Sequence, residues 1–163
     1  MKSPYLLAFV SMVLLLAGCQ SKVDNQHSFN NQKSMEMEQE KAAIEQLLFS
    51  YRDALNASNT DNVLPLYTAN GVFMPSNAPT AIGQDQIRSA YDFVFKNIQL
   101  NIEFFIDEIE VHGNIAFART TSKGTTLIHA TGQTVPVGNR ELFVLQKDKG
   151  QWKISRYMFN KVN

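Results

Sequence analysis

Cys19 is the only cysteine among the 163 residues, and its thiol is the first candidate for chemistry. It ends the segment Leu16-Ala17-Gly18-Cys19, which closes an apolar run over residues 5–17 behind a single lysine. The run is shorter than the ~20 residues that a membrane-spanning helix needs, and it ends in small residues, as the cleavage region of a secretory signal does. The pattern predicts that residues 1–18 are a signal peptide and that cleavage leaves the Cys19 thiol available for acylation.

The segment 16–19 resembles the cleavage motif of bacterial lipoproteins. This resemblance implies a diacylglyceryl thioether on the Cys19 sulfur and a further acyl chain, of the palmitate type, on its new amino group. Two or more chains hold a protein on a bilayer far longer than one chain does. Gln20 matches the outer-membrane sorting pattern of Gram-negative lipoproteins. We therefore expect an outer-membrane lipoprotein that faces the periplasm, with the membrane as its partner through Cys19.

Three basic residues in the second half of the chain are candidates for a binding or catalytic site. An imidazole can act as acid, base or ligand, and His129 lies in a Thr-rich stretch where an exposed structural role is the alternative. Arg119 and Arg156 each lie two residues from an apolar residue. A period of two would place each cation on an inward face, where it would hold an acidic ligand. The alternative for both arginines is a salt bridge at the surface.

Composition removes several classes of function. The 15 basic and 15 acidic residues give a net charge of zero, so the chain has no electrostatic footprint for nucleic acid. It has no phosphate-cradling glycine loop, no dinucleotide fingerprint and no set of His and carboxylate residues at metal-ligand spacing. We therefore expect no nucleic-acid partner, no cofactor and no bound metal. Eleven Phe, five Tyr and one Trp predict a sizeable aromatic core.

Helices are predicted before residue 100. Residues 20–36 are rich in Asn, Gln and Ser, which together with Cys19 predicts a lipidated, flexible tether over residues 19–36. From residue 37, apolar residues recur at helical spacing as far as Leu55, which predicts an amphipathic helix. A second, short helix is predicted from an N-cap around residues 58–60, and a third begins at Gly83.

Strands are predicted around and beyond these helices. A short strand is expected at Val72–Met74, and beyond residue 100 the apolar period falls to two. The predicted later strands are 101–112, 114–123, 125–134, 137–147 and 151–160, with glycine turns at 112–114, 123–124 and 148–150. Three helices followed by a long antiparallel meander indicate an α+β domain in which a curved sheet wraps the helices.

Four short motifs, in their order and spacing, resemble the nuclear transport factor 2-like superfamily. They are Ser-Tyr-Arg-Asp-Ala-Leu-Asn-Ala at 50–57, Asn-Gly-Val-Phe-Met-Pro at 70–75, the helix start at 83–90, and Gly-Gln-Trp-Lys-Ile at 150–154, which is similar to the closing hairpin of SnoaL-like members. The resemblance implies a cone over residues 37–163: a bent antiparallel sheet packed on three N-terminal helices, with an internal pocket. It also implies association through the open sheet face, so a homodimer is a candidate assembly.

The resemblance also implies site residues, by comparison with the ketosteroid isomerases, which use a carboxylate base together with a Tyr and a neutral Asp. Tyr51 matches the oxyanion tyrosine of those enzymes. Met74 stands where they carry the Asp base before a proline, and Glu141 lies in the strand expected to hold the second acid. SnoaL-like cyclases use an Asp and a His, and the closing strand 154–160 offers neither, although His129 lies on a neighbouring strand.

We therefore expect a pocket whose ligand-binding residues are Tyr51, Met74, Tyr91, Arg119 and Arg156. The leading prediction is an envelope lipoprotein that binds a small, largely apolar molecule without strong catalysis, since the base is absent at position 74.

Two alternatives stay open. One is a SnoaL-like isomerase, cyclase or hydratase that uses Tyr51 with His129 or Glu141. The other is an interaction or dimerisation module that uses its sheet face. If Tyr51 is buried, its hydroxyl needs a partner, because an unpaired buried hydroxyl is costly. The predicted partners are Arg119, His129, Glu141, Arg156 or a bound ligand.

Overall fold

The computed structural model describes residues 20–162, so the predicted signal peptide and acylation site, residues 1–19, lie outside the described residues. Its helices are α1 Gln20–Asn56, α2 Thr60–Val63 and α3 Gly83–Asn97, with a 3₁₀ turn at Leu64–Leu66. α3 begins at Gly83, as predicted. None of the helices in the described range is long and apolar enough to cross a membrane.

α1 begins at Gln20, earlier than the predicted start at residue 37. Contacts within the chain divide it after Glu36, and the described side chains of residues 29–36 are exposed. The expectation of a flexible segment rests on the lack of apolar residues available for burial. Gln, Lys, Glu and Met nevertheless have favourable helix propensities, so a polar stretch can adopt helical backbone without an apolar face.

One six-stranded sheet forms the rest of the domain. Its strands are β1 Tyr67–Met74, β2 Ala81–Ile82, β3 Ile98–His112, β4 Ile115–Ile128, β5 Gln133–Asp148 and β6 Gln151–Lys161, in the order β2-β1-β6-β5-β4-β3. The last four strands form an antiparallel meander, as predicted, but with four strands instead of the five predicted beyond residue 100. β1 runs parallel to β6, so the sheet is mixed. The curved sheet packed with helices is the α+β cone expected from the sequence.

The predicted turn at residues 123–124 is wrong. β4 continues through Gly124, which pairs with Ile102 on β3 and with Val137 on β5. A Cβ at this position would lie 2.1 Å from the backbone oxygen of Asn101. Glycine is therefore required for close approach of two strands, and the chain instead turns at residues 129–132, after β4 ends at Ile128.

The core lies between α1 and the inner face of the sheet. Ile44, Leu48 and Tyr51 recur along one face of α1 and are fully buried. The Tyr51 ring makes edge contacts with Phe143 and Tyr157, at centroid distances of 5.8 Å and 5.4 Å. The predicted amphipathic face is thus confirmed, and it places Tyr51 at the centre of the domain.

Candidate functional site

A cavity of about 1540 Å³ opens beside this core. It is bounded by α3, by the loop after β1, and by the inner faces of β3 to β6. Most of its wall is apolar, and the rings of Phe73, Tyr91 and Phe159 form part of it. Small-molecule sites usually have this character, at volumes of about 300–1,000 Å³. The space is therefore sufficient for an organic ligand.

Small residues on the inner face of β4 leave room for a larger side chain from the next strand. Ala116, Ala118, Thr120 and Ser122 alternate along the strand, and all four are buried. Their short side chains leave space for Glu141 on the paired strand β5, which is 3% exposed. The carboxylate therefore points inward, a direction that alternation within β5 alone did not establish.

Hydroxyl groups surround the Glu141 carboxylate. Thr120 Oγ1 donates to Oε2 at 2.6 Å, and Ser122 Oγ donates to Oε1 at 2.7 Å. Asn139 Nδ2 donates in turn to Ser122 Oγ at 3.0 Å. Burial raises the pKa of Glu141 above its ordinary value, and hydrogen bonds from Thr120, Ser122 and Tyr157 oppose that increase. The pKa of Glu141 stays above its ordinary value, because burial is the largest of these effects.

A cluster of tyrosine hydroxyls adjoins this acid. The Tyr91 hydroxyl is hydrogen-bonded to those of Tyr51 and Tyr67, the latter at 2.9 Å. Burial raises the pKa of Tyr51, Tyr67, Tyr91 and Tyr157, so all four stay neutral phenols near pH 7. Neutral phenols can donate hydrogen bonds, and Tyr51, Tyr91 and Tyr157 belong to the cavity wall.

Stacked rings hold these tyrosines in place. Phe73 lies between Tyr91, at a centroid distance of 4.9 Å, and Tyr157, at 5.4 Å, with nearly parallel planes. Tyr157 stacks in turn on Phe143 at 4.4 Å. Because each ring contacts two neighbours, the hydroxyl groups have little freedom to move apart.

Three of the predicted site residues meet at the cavity: Tyr51, Tyr91 and Glu141. The partner of the Tyr51 hydroxyl is Tyr91, which was not among the four side chains predicted for that role. A hydroxyl partner satisfies the phenol without placing a charge in the core.

The two predicted arginines lie elsewhere. Arg119 is exposed and forms ion pairs with Asp107 at 3.1 Å and Glu108 at 3.2 Å. Arg156 donates to the backbone oxygen of Ser155 at 2.7 Å. Neither side chain belongs to the cavity wall, because the inward positions of β4 and β6 are the alternate ones. The expectation that these cations face the pocket is therefore corrected.

Met74 and His129 are also outside the cavity wall. Met74 ends β1, and Phe73, its neighbour in sequence, takes the inward position instead. His129 is exposed, and its Nδ1 donates to the backbone oxygen of Lys96 at 2.9 Å, near the end of α3. Its side chain therefore contacts a helix terminus and not the acid Glu141.

Sequence reasoning missed Thr120, Ser122 and Asn139, which contact or support the acid. A signal for the first two exists: alternate small residues over 116–122 mark a strand face that must accommodate larger groups from its neighbour. No cluster of three or more His, Cys, Asp and Glu residues that could hold a metal ion occurs within residues 20–162.

Comparisons with known proteins agree with this architecture. The family model described as the SnoaL-like domain matches residues 49–155. A solved ketosteroid isomerase-like protein from Erwinia carotovora atroseptica SCRI1043 is 32% identical, with a TM-score of 0.72, over 75% of this chain and 95% of that one. No curated protein matches the chain.

More distant structures share the fold. A protein provisionally described as a scytalone dehydratase from Novosphingobium aromaticivorans is 16% identical, with a TM-score of 0.66, over 76% of this chain and 85% of that one. An uncharacterised cystatin-like protein from Caulobacter vibrioides is 20% identical, with a TM-score of 0.62, over 76% and 89%. These likenesses show the shared fold. The matched motifs, the cone and these neighbours together show that the chain belongs to the SnoaL-like domain family of the nuclear transport factor 2-like superfamily.

Proposed function

We propose that the domain beginning at residue 37 binds a small, largely apolar molecule in its cavity, without strong catalysis. The observation that carries this proposal is the open cavity of about 1540 Å³, whose mostly apolar wall contains one deeply buried acid, Glu141. An apolar wall supplies affinity through burial, and one polar group supplies orientation.

The lack of a free carboxylate base in the described cavity wall argues against the isomerase route as the main activity. In that route a carboxylate base takes a proton from the substrate, and a thioether at position 74 cannot do so. The carboxylates of the described cavity wall are Glu141, which is engaged by hydroxyls, and Asp85, which is exposed.

Membrane anchoring is the second part of the proposal. Anchoring through acylated Cys19 would hold the domain at the periplasmic face of the outer membrane. Expression of the full chain should give a membrane fraction whose mass exceeds that of the polypeptide by its acyl chains. Cys19→Ser should remain unacylated, and a soluble wild-type protein without added mass would contradict the anchor.

Ligand binding can be tested by thermal denaturation of the purified full chain with a panel of small aromatic and aliphatic compounds. We expect some compounds to raise Tm, because a ligand that binds only the folded state stabilises it. Val94→Trp, on the cavity wall, should abolish these shifts. Val111→Trp, a half-buried position outside the wall, should retain them. Unchanged shifts in Val94→Trp, or no shift from any compound, would contradict the proposal.

An isomerase or dehydratase is a second candidate, favoured by one observation. Glu141 interacts with the Tyr157 hydroxyl, so an acid with a raised pKa lies beside a neutral phenol at one cavity wall. Such a pair can move a proton to or from a bound substrate. Turnover of a β,γ-unsaturated ketone by the wild type, lost in Glu141→Gln, would support this candidate. Binding without turnover would support the first one.

A further inference from the structure

We propose that the ligand of the cavity carries a protonated amine on its apolar body and that this ammonium group pairs with Glu141. The inference rests on the proposed binding function and adds the chemical class of the ligand. It follows from an imbalance of charge and of hydrogen-bonding groups around Glu141 in the cavity wall.

Glu141 is a buried acid without a cationic partner in the described part of the chain. The ion pairs found there involve other carboxylates, all of them much more exposed. Buried carboxylates are normally paired, because removing a charge from water without compensation is expensive. A site that retains such a group at a cavity wall is complementary to a cation that arrives with the ligand.

The hydrogen bonds around this acid are of the kind that an ionised carboxylate accepts. Ser122 has one hydroxyl proton, and its oxygen already accepts a hydrogen bond from Asn139 Nδ2. Ser122 can donate that proton to Glu141 Oε1, which lies 2.7 Å from its oxygen. The two O–H···O distances, 2.6 Å and 2.7 Å, match those of charge-assisted bonds to a carboxylate, about 2.5–2.7 Å.

A second acceptor reinforces the negative potential. Asn139 Oδ1 is buried and has no hydrogen-bond partner among the described residues. Since its amide nitrogen is held by Ser122, the oxygen is the unsatisfied end of the group. An ammonium group has hydrogen-bond donors and no acceptor. It is therefore complementary to the Glu141 carboxylate and Asn139 Oδ1, which are both acceptors.

The cavity wall also suits a cation on an apolar body. The rings of Phe73, Tyr91 and Tyr157 belong to it, and aromatic faces attract ammonium groups. The other charged residues of the wall are Asp85, Lys123 and Lys161, and all three are exposed. Neither lysine forms an ion pair with Glu141 in the described part of the chain.

Three compounds with one ring system test the inference: 1-naphthylmethylamine, 1-naphthylmethanol and 1-naphthoic acid. Binding to the purified full chain is measured by calorimetry at pH 7. We expect the amine to bind at least tenfold more tightly than the alcohol, and the acid to bind most weakly. Glu141→Gln should remove the preference for the amine. Glu110→Gln, which alters an exposed carboxylate outside the cavity, should retain it.

The outcomes distinguish the proposed preference for an amine from the proposed binding function. Equal binding of amine and alcohol, or tightest binding of the acid, would overturn the inference and leave apolar binding standing. Failure of all three compounds overturns the inference, and failure of the wider panel as well overturns the binding function. The comparison of amine with alcohol uses the wild-type protein, so it remains decisive even if Glu141→Gln does not fold.

Discussion

Removing the central hydroxyl of the tyrosine cluster should cost more stability than removing a peripheral one. Tyr91 is bonded to both Tyr51 and Tyr67, and all three residues are at most 1% exposed. In Tyr91→Phe, two buried hydroxyls lose the partner they share. In Tyr67→Phe, the Tyr91 hydroxyl keeps its bond to Tyr51.

The expected losses of stability follow from the number of hydrogen bonds that each hydroxyl makes. An unsatisfied buried polar group costs about 1–3 kcal/mol, so Tyr91→Phe should lower the free energy of unfolding by about 2–4 kcal/mol. Tyr67→Phe should lower it by about 1 kcal/mol, the value of one neutral hydrogen bond. Replacing all three residues by Phe removes donors and acceptors together. The triple variant should therefore lose less stability than the sum of the three single variants.

Urea denaturation at pH 7 measures these differences, with fluorescence of Trp152, the only tryptophan, as the signal. Unchanged m-values would show that the midpoints report stability alone. The reasoning is refuted if Tyr91→Phe is no less stable than Tyr67→Phe. It is also refuted if the triple variant loses as much stability as the three single variants together, since independent hydroxyls would give that sum.

Three further variants test other contacts. Gly124→Ala should lower the free energy of unfolding by more than about 3 kcal/mol, because the added Cβ would lie 2.1 Å from the backbone oxygen of Asn101. An unchanged Tm would contradict this close approach of the two strands. Hydrogen bonds from Lys147 and Trp152 lower the pKa of Glu40, so Glu40→Gln should cost about 1 kcal/mol at pH 7. That difference should disappear as the pH falls through the lowered pKa, and urea titrations that show a constant difference would refute it. Burial raises the pKa of Glu141, so ionisation of this acid opposes folding as the pH rises above about 4.5. The Glu141→Gln variant should therefore gain stability relative to wild type from pH 4 to pH 7. Thermal denaturation that shows no such trend would contradict the raised pKa.

Periodicity in the sequence predicts the elements well where one face is buried. The apolar stripe of α1 up to Leu55 and the start of α3 at Gly83 agree with the structure. Periodicity does not predict the role of Gly124. Glycine is required both in tight turns and where two backbones approach closely, and local sequence does not distinguish these cases without knowledge of the adjacent strand.

Prediction of the site was limited because the sequence does not show which side chains of a strand face the core. A period of two establishes that residues alternate, but not which set faces the core. On β4, Phe117 suggested an inward face that would include Arg119. The inward set is instead the smaller one, with Ala118 and Thr120, which pair with the larger buried residues Phe143 and Glu141 on β5.

The position of β6 within the sheet constrains the order of folding. β6 is the last described strand of the chain, yet it lies between β5 and β1, and its parallel pairing joins Tyr67 to Ile154. The hairpins from β3 to β6 close short loops, whereas the pairing of β1 with β6 closes a loop of more than half the chain, with a larger entropic cost. We therefore expect the meander to form first and β1 to join it last. During synthesis, the sheet stays divided until β6 has left the ribosome.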